Sequence, residues 1–251
     1  MPRIYFISDI HLGALYIKDR RRHERRIVAW LDSIADDADE LYLVGDILDY
    51  WYEYRTVVPR GYVRFFGALA RLADKGVRIT WLIGNHDIWL FDYLRHEIGI
   101  NIVDGAVQAD IGGRRFFISH GDALGRLKPG FRFIRALFRN KICQKLFAAI
   151  HPRWTVPFAY RWSSHNRLRA SGDFEAYASA CLAMVKDWAN PFFSVNPDID
   201  YIVLGHHHFE FNEDLSPRHR LVILGNCIDQ ITYGVFDGSS FKLNHFDSDN
   251  T

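Results

Sequence analysis

The chain has 251 residues, 49% of them hydrophobic, with 31 basic and 30 acidic side chains and a formal charge of +1. That is enough to bury a full core as one α/β domain carrying an insertion, so a soluble globular protein is expected. No apolar stretch approaches the roughly 20 residues of a membrane helix, and the apolar start at Ile4 meets Asp9 and His11 too soon for a signal peptide, which makes a cytoplasmic location the expectation. Cys143, Cys181 and Cys227 are odd in number and widely spaced, which argues against a disulfide framework and against a cysteine zinc site.

In chain order, residues 3–8 read as a buried strand, 22–35 as a helix with apolar Ile27, Ala29, Trp30 and Ile34, and 40–44 as a second strand, one βαβ unit. Residues 62–72 suit a helix ended by Gly76, and 78–83 a third strand. Beyond this, 107–111 and 114–119 flank Gly112-Gly113, a two-residue hairpin signal, and 201–204, 221–224, 231–236 and 241–245 add short strands. The two ends of the chain read as strand-rich halves of one sandwich. The polar tail after Phe246 is expected to be disordered.

Small polar clusters end five of these strands: Ser8-Asp9-Ile10-His11, Gly45-Asp46-Ile47-Leu48-Asp49, Gly84-Asn85-His86-Asp87, Ser119-His120-Gly121-Asp122 and Gly205-His206-His207-His208. Taken singly, an Asp-x-His or Gly-Asp pair is usually a turn or a cap. Ligand sites of open α/β sheets lie beyond the strand C-termini, however, so clusters far apart in sequence can meet there. Mixed Asp, Asn and His donors without thiolate suit borderline ions such as Mn²⁺, Fe²⁺ or Zn²⁺. If the strand at 201–204 continues through the histidines, His206 and His208 share one face and His207 faces away, where it packs or bonds solvent.

Charge is distributed unevenly. Between Asp122 and Asp173 there is no acidic residue, while Arg126, Lys128, Arg132, Arg135, Arg139, Lys141, Lys145, Arg153, Arg161, Arg167 and Arg169 supply eleven cations. Within this stretch Phe131, Ile134, Phe138, Ile142, Leu146 and Ile150 recur at helical spacing, and Trp154, Phe158, Tyr160 and Trp162 add aromatics. Two arrangements are open, an ordinary helix packed on the core or a cap over the site. As a cap it could take single-stranded nucleic acid, an anionic lipid or diphosphate with its acyl chains, or a protein partner.

The order Asp9-x-His11, Gly45-Asp46-x-x-Asp49, Gly84-Asn85-His86-Asp87, His120-Gly121-Asp122 and Gly205-His206-x-His208 resembles the calcineurin-like metallophosphoesterases. The resemblance implies an α/β (α+β) fold, a two-layered β-sandwich flanked by helices, as a single domain over 1–251 with a basic helical cap inserted at 125–172. It implies two divalent ions, Mn²⁺ foremost, with Asp9, His11, Asp46 and His208 around one and Asp46, Asn85, His120 and His206 around the other, Asp46 bridging. His86 is then the catalytic histidine that stabilises or protonates, and Asp49, Asp87 and Asp122 stand behind the ligands or beside the substrate. Two such ions about 3.5–4 Å apart can activate water and clamp a phosphate.

"ISDIHLG", "GDILDYWYEY" and the long insertion after "SHGD" are further similar to the UDP-2,3-diacylglucosamine hydrolases of lipid A biosynthesis, although the best-known branch has Arg where this chain has His86. That likeness implies a glycolipid nucleotide substrate cut at its pyrophosphate to UMP and 2,3-diacylglucosamine 1-phosphate. It also implies work at the cytoplasmic surface of the inner membrane, as a peripheral protein, without nucleic acid. Another nucleotide or lipid diphosphate, or a metal-dependent nuclease activity, is the alternative. Arg126, Lys128 and Lys141 are candidate substrate contacts.

Overall fold

A computed structural model describes residues 2–125, 129–168, 174–228 and 230–247. The candidate contacts Arg126 and Lys128, the cap cation Arg169 and the end of the tail, 248–251, lie outside them. β1 (Ile4–Ile7), β2 (Glu40–Val44), β3 (Arg78–Leu82) and β4 (Asn101–Val103) pair in parallel, and β10 (Ile231–Phe236) and β11 (Phe241–Phe246) extend the sheet antiparallel in the order β11-β10-β1-β2-β3-β4. The second sheet runs β5-β6-β7-β9-β8, from β5 (Val107–Ile111), β6 (Arg114–Ser119), β7 (Tyr201–Leu204), β8 (Glu210–Asp214) and β9 (Arg220–Leu224), with β6, β7 and β9 parallel.

Side-chain alternation makes these sheets pack face to face. Ile4, Phe6, Tyr42, Val44 and Leu82 of the first meet Phe116, Ile118, Val203, Val222 and Leu224 of the second in one buried cluster. Tyr5, Ile7, Leu41 and Leu43 point the other way, onto α1 (Arg20–Ser33) and α2 (Val63–Asp74), whose Ile27, Trp30, Phe65 and Leu69 are inaccessible. The far face of the second sheet, Ile202, Leu204, Leu221 and Ile223, is covered by Val185, Ala189 and Phe193 of α7 (Phe174–Val195). Helices thus flank a two-sheet sandwich. The Gly112-Gly113 turn closes β5 and β6 with both residues at positive φ (59° and 77°), as a two-residue hairpin of this twist requires.

The basic segment departs from expectation. The apolar periodicity runs unbroken from Phe131 to Ile150, yet the helix breaks into α4 (Pro129–Arg139) and α5 (Lys141–Ala149), because the Asn140 side chain caps the second by accepting from the backbone N–H groups of Ile142 and Cys143. α6 (Pro152–Leu168) follows. The stripe does not close onto the core: Ile142, Leu146 and Ile150 are 70%, 65% and 50% exposed, and of the six positions Phe138 is the one packed against the body. A short α3 (Tyr93–Ile98) completes the elements; its first turn is held by Glu53, whose Oε2 accepts the N–H groups of Phe91, Asp92 and Tyr93.

Candidate metal centre

Parallel strands from both sheets end on one side of the sandwich, and the chain leaves them through unusually strained backbone. Six described non-glycine residues have positive φ, and five are Asp9 (52°), His11 (50°), Asp46 (54°), His206 (70°) and His208 (61°). Left-handed backbone costs a residue with a Cβ about 1–2 kcal/mol, so it persists where neighbours impose it, which is characteristic of functional sites. Cross-loop hydrogen bonds impose it: Asp9 N–H to Gly45 O (3.1 Å), His11 N–H to Asp46 O (3.0 Å) and Leu12 N–H to Ile47 O (2.9 Å). Side-chain oxygens add to them, with Asp46 Oδ1 accepting from His86 N–H and Asp9 Oδ2 from His206 N–H, each at 2.8 Å. Gly45 (φ 81°) is needed between them, since a Cβ would stand 2.6 Å from His120 Cγ.

The histidine triplet reaches its arrangement by a route that strand alternation does not describe. β7 ends at Leu204, before the histidines begin. His206 and His208 face the same centre because both adopt left-handed backbone, while His207 packs inward, 2% exposed, its ring 6.0 Å from that of Phe209. Burial holds the His207 imidazole down at about 4.

Seen from the donors, two groups converge, Asp9 with His11 and His208, and Asp46 with His120 and His206, each with ligand atoms within 4.8 Å of one another. His208 Nε2 lies 3.7 Å and His11 Nε2 3.8 Å from Asp9 Oδ1; His120 Nε2 lies 3.3 Å from Asp46 Oδ2 and 3.2 Å from Asn85 Oδ1. Asp46 Oδ2 is also 3.9 Å from His11 Nε2, so it stands between the groups, where a shared oxygen would bridge two ions. All seven residues expected from sequence to ligate are therefore brought together. A third grouping, His11 with Asp46 and His86, places His86 Nε2 3.9 Å from the same Asp46 oxygen.

The side chains are arranged as a cation would need them. Asp9 Oδ1 and His11 Nε2 are buried without a hydrogen-bond partner, a costly state that a bound cation would relieve. His120 Nδ1 donates to Val44 O (2.9 Å), which leaves the Nε2 lone pair facing the centre, and His11 Nδ1 has Asp49 Oδ1 behind it at 3.4 Å, the support that metal-ligating histidines usually have. Burial opposes ionisation of Asp46, yet the imidazoles of His120, His86 and His11 hold it well below the usual carboxylate range. Conversely, burial works against the imidazoliums, but Asp46, with Asp49 for His86 and Asp9 for His120, raises His86 to about 9 and His120 to about 10. The carboxylates that hold a proton on His120 would favour a divalent cation in its place, while burial and the neighbouring His120 pull the His206 imidazole down and keep it ready to ligate. With oxygen and imidazole donors and no thiol among them, the set could hold divalent transition ions.

Three further expected residues take distinct positions. Asp49 (2% exposed) lies behind His11 and His86, 3.4 Å from Nδ1 of each. Asp87 faces away from the centre: it is fully buried and its oxygens accept from Ile47 N–H, Gly84 N–H and the Trp81 indole, fastening the loop of Asp46 to that of Asn85. Asp122 pairs with Arg135 of α4. Sequence reasoning missed two contacts with no local signal, Ser163 of α6, which reaches Asp49, and His23 of α1, whose Nε2 lies 2.8 Å from the Ile10 carbonyl between Asp9 and His11.

α4 to α6 pack beside the centre, and the aromatic run after Asp49 seats them. Tyr52 Oη donates to Gln144 O (2.7 Å), Tyr54 Oη meets Thr155 Oγ1 (2.6 Å), the Trp89 indole donates to Phe138 O (2.9 Å), and the hydroxyls of Tyr62 and Tyr160 pair. Arg139 pairs with Asp104. Phe133, Trp154, Phe158 and Trp162 remain 68%, 68%, 60% and 47% exposed, beside cations such as Arg153, whose guanidinium sits 5.8 Å over the Trp154 ring. The candidate contact Lys141 is exposed at the first turn of α5.

Comparison with known proteins agrees with this geometry. Residues 2–210 match the calcineurin-like phosphoesterase family. The chain is 38% identical over 252 aligned residues, covering 96% of both chains, to the UDP-2,3-diacylglucosamine hydrolase of Porphyromonas gingivalis. It is 29% identical to the enzyme of the same name from Aeromonas hydrophila, covering 90% of each, and 29% identical to that of Nitrosococcus oceani, covering 62% of this chain and 61% of the other. With five strand-end clusters meeting in one centre and the family match running through all five, the chain belongs to the calcineurin-like phosphoesterases.

Proposed function

We propose that the chain is a dinuclear, Mn²⁺-dependent hydrolase that cuts the pyrophosphate of UDP-2,3-diacylglucosamine to UMP and 2,3-diacylglucosamine 1-phosphate in lipid A biosynthesis. The observation that carries this reading is a buried His/Asp centre lying under a cap that is both cationic and apolar, in a chain 38% identical to a relative of that name. In this reading Asp9, His11, Asp46 and His208 hold one ion and Asp46, Asn85, His120 and His206 the other. Such a pair supplies an acidified water as nucleophile near neutral pH and neutralises charge on the phosphoryl oxygens.

The chain's own residues do the rest. Asp49 and the Val44 carbonyl orient His11 and His120. His86, with Nδ1 turned to the Asp49 carbonyl at 3.2 Å, presents Nε2–H to the centre, where it donates to the phosphoryl or leaving oxygen. The exposed apolar residues of α4 to α6 take acyl chains and rest on the lipid surface, while Arg132, Lys141, Lys145, Arg153 and Arg161 meet anionic groups. No described helix is long and apolar enough to cross a membrane, so attachment through the cap would be peripheral, at the cytoplasmic face of the inner membrane.

The test is incubation of Mn²⁺-loaded protein with UDP-2,3-diacylglucosamine and, separately, with single- and double-stranded DNA and RNA. Release of UMP with nucleic acid intact is expected. Degradation of nucleic acid with no UMP release would overturn the reading.

A further inference from the structure

Among the described side chains of α6, one serine reaches both Asp49 and His86. The hydroxyl of Ser163, on α6 and 8% exposed, donates to Asp49 Oδ2 at 2.9 Å, and Ser163 Oγ lies 3.2 Å from His86 Nδ1. Its proton being committed to the carboxylate, the oxygen has a lone pair to offer the ring. Two other oxygens face that nitrogen, the Asp49 carbonyl at 3.2 Å and Asp49 Oδ1 at 3.4 Å, and neither can donate as a carbonyl or carboxylate. Nδ1 therefore carries a proton and donates outward, and Nε2 is turned to Asp46 Oδ2 and the centre. Ser163 is held at this place by its own helix, since Tyr160, three residues earlier on α6, is tied to Tyr62 on the body.

We propose that Ser163 is a positioning residue for the reaction: it fixes the ring of His86 and the carboxylate of Asp49 together, so that His86 is aimed at the substrate when α6 is seated on the body. This rests on the role of His86 given above. It ties the seating of α6 to catalytic alignment, because a shift of α6 that separates Ser163 from Asp49 removes one of the three oxygens that face His86 Nδ1 and loosens the carboxylate behind the ring. Phosphodiester or diphosphate substrates that engage the cap are then turned over faster than ones that reach the centre alone.

The experiment compares wild type, Ser163→Ala and Ser163→Thr, after thermal melts have verified that the three fold alike. Two readouts are taken: steady-state release of UMP from UDP-2,3-diacylglucosamine, and the ¹³C–¹H signals of the His86 ring in the metal-free protein, assigned with His86→Gln. Ser163→Ala is expected to lower kcat about tenfold, the size of one lost oriented hydrogen bond, with KM within about twofold, and Ser163→Thr to restore it. The His86 signal should be shifted or broadened in the alanine variant and native in the threonine one. A wild-type kcat in Ser163→Ala, or a ring signal that does not move, overturns the proposal. If wild type releases no UMP, the substrate reading fails, and the ring signal still decides the role of Ser163.

Discussion

Replacing Asp87 tests whether the loops of the centre are fastened from inside the fold. Its Oδ2 accepts from Ile47 N–H at 2.9 Å and from the Trp81 indole at 3.1 Å, and its Oδ1 from Gly84 N–H at 2.7 Å. Both oxygens are acceptors, so an asparagine cannot satisfy the site by flipping: in the better orientation its NH₂ meets the Gly84 N–H, donor against donor. Stranding one buried donor costs about 1–3 kcal/mol, so Asp87→Asn should lose about 2 kcal/mol of unfolding free energy. In Asp87→Ala three donors are stranded, but the burial cost of one carboxylate is recovered, which places the loss at about 4 kcal/mol, below the threefold sum. Urea unfolding of the metal-free variants, followed by circular dichroism, reads these differences. Because Ile47 and Gly84 adjoin Asp46 and Asn85, the folded variants should also bind divalent ions more weakly. Values within about 0.5 kcal/mol of wild type for both variants would refute the reasoning.

Further outcomes follow from neighbouring residues. His206→Ala and His208→Ala should each lower metal-dependent turnover at least about 100-fold, whereas His207→Ala should keep most of it and lose stability, measured by melting, because a buried ring is removed; equal loss of activity in all three would contradict the assignment. Gly205→Ala should abolish turnover in a folded protein, since its Cβ would stand 2.8 Å from Ser8 Cβ and 2.9 Å from Asp9 Oδ2, and retained kcat would argue against a rigid centre. Burial lowers the His23 imidazole, against the pull of its bond to the Ile10 carbonyl, so between its folded value and 6.5 the unfolded chain binds the extra proton. Stability should accordingly fall as pH drops below about 6.5, and His23→Gln should flatten that part of the pH profile of unfolding free energy; an unchanged slope would remove His23 as its source.

Much of the centre was legible because its chemistry is written in short clusters at strand ends. Glycines at 45, 84, 121 and 205 mark where the chain must leave a strand, and the ligand-type residues lie within four positions of each. The strands were readable as short runs of apolar and β-branched residues, such as Ile4–Ile7 and Tyr201–Leu204. Other features depend on contacts that no local pattern carries. The break at Asn140 hides inside an unbroken apolar period, since a capping asparagine does not disturb the spacing around it. α7 escaped because its buried residues, Val185, Ala189 and Phe193, form a narrow stripe in a helix otherwise mixed in character. For the histidine triplet the right pair came from the wrong cause, strand alternation in place of left-handed backbone. Ser163 lies 114 residues from Asp49, and only the packing of α6 on the body brings them together.

Metal content measured on the purified chain tests the account most directly. After equilibration with Mn²⁺ and removal of free ion, elemental analysis should find two ions per chain in wild type, and fewer than one in Asp46→Ala, because the residue standing between both donor groups serves each. One ion per wild-type chain, or two retained without Asp46, would contradict it.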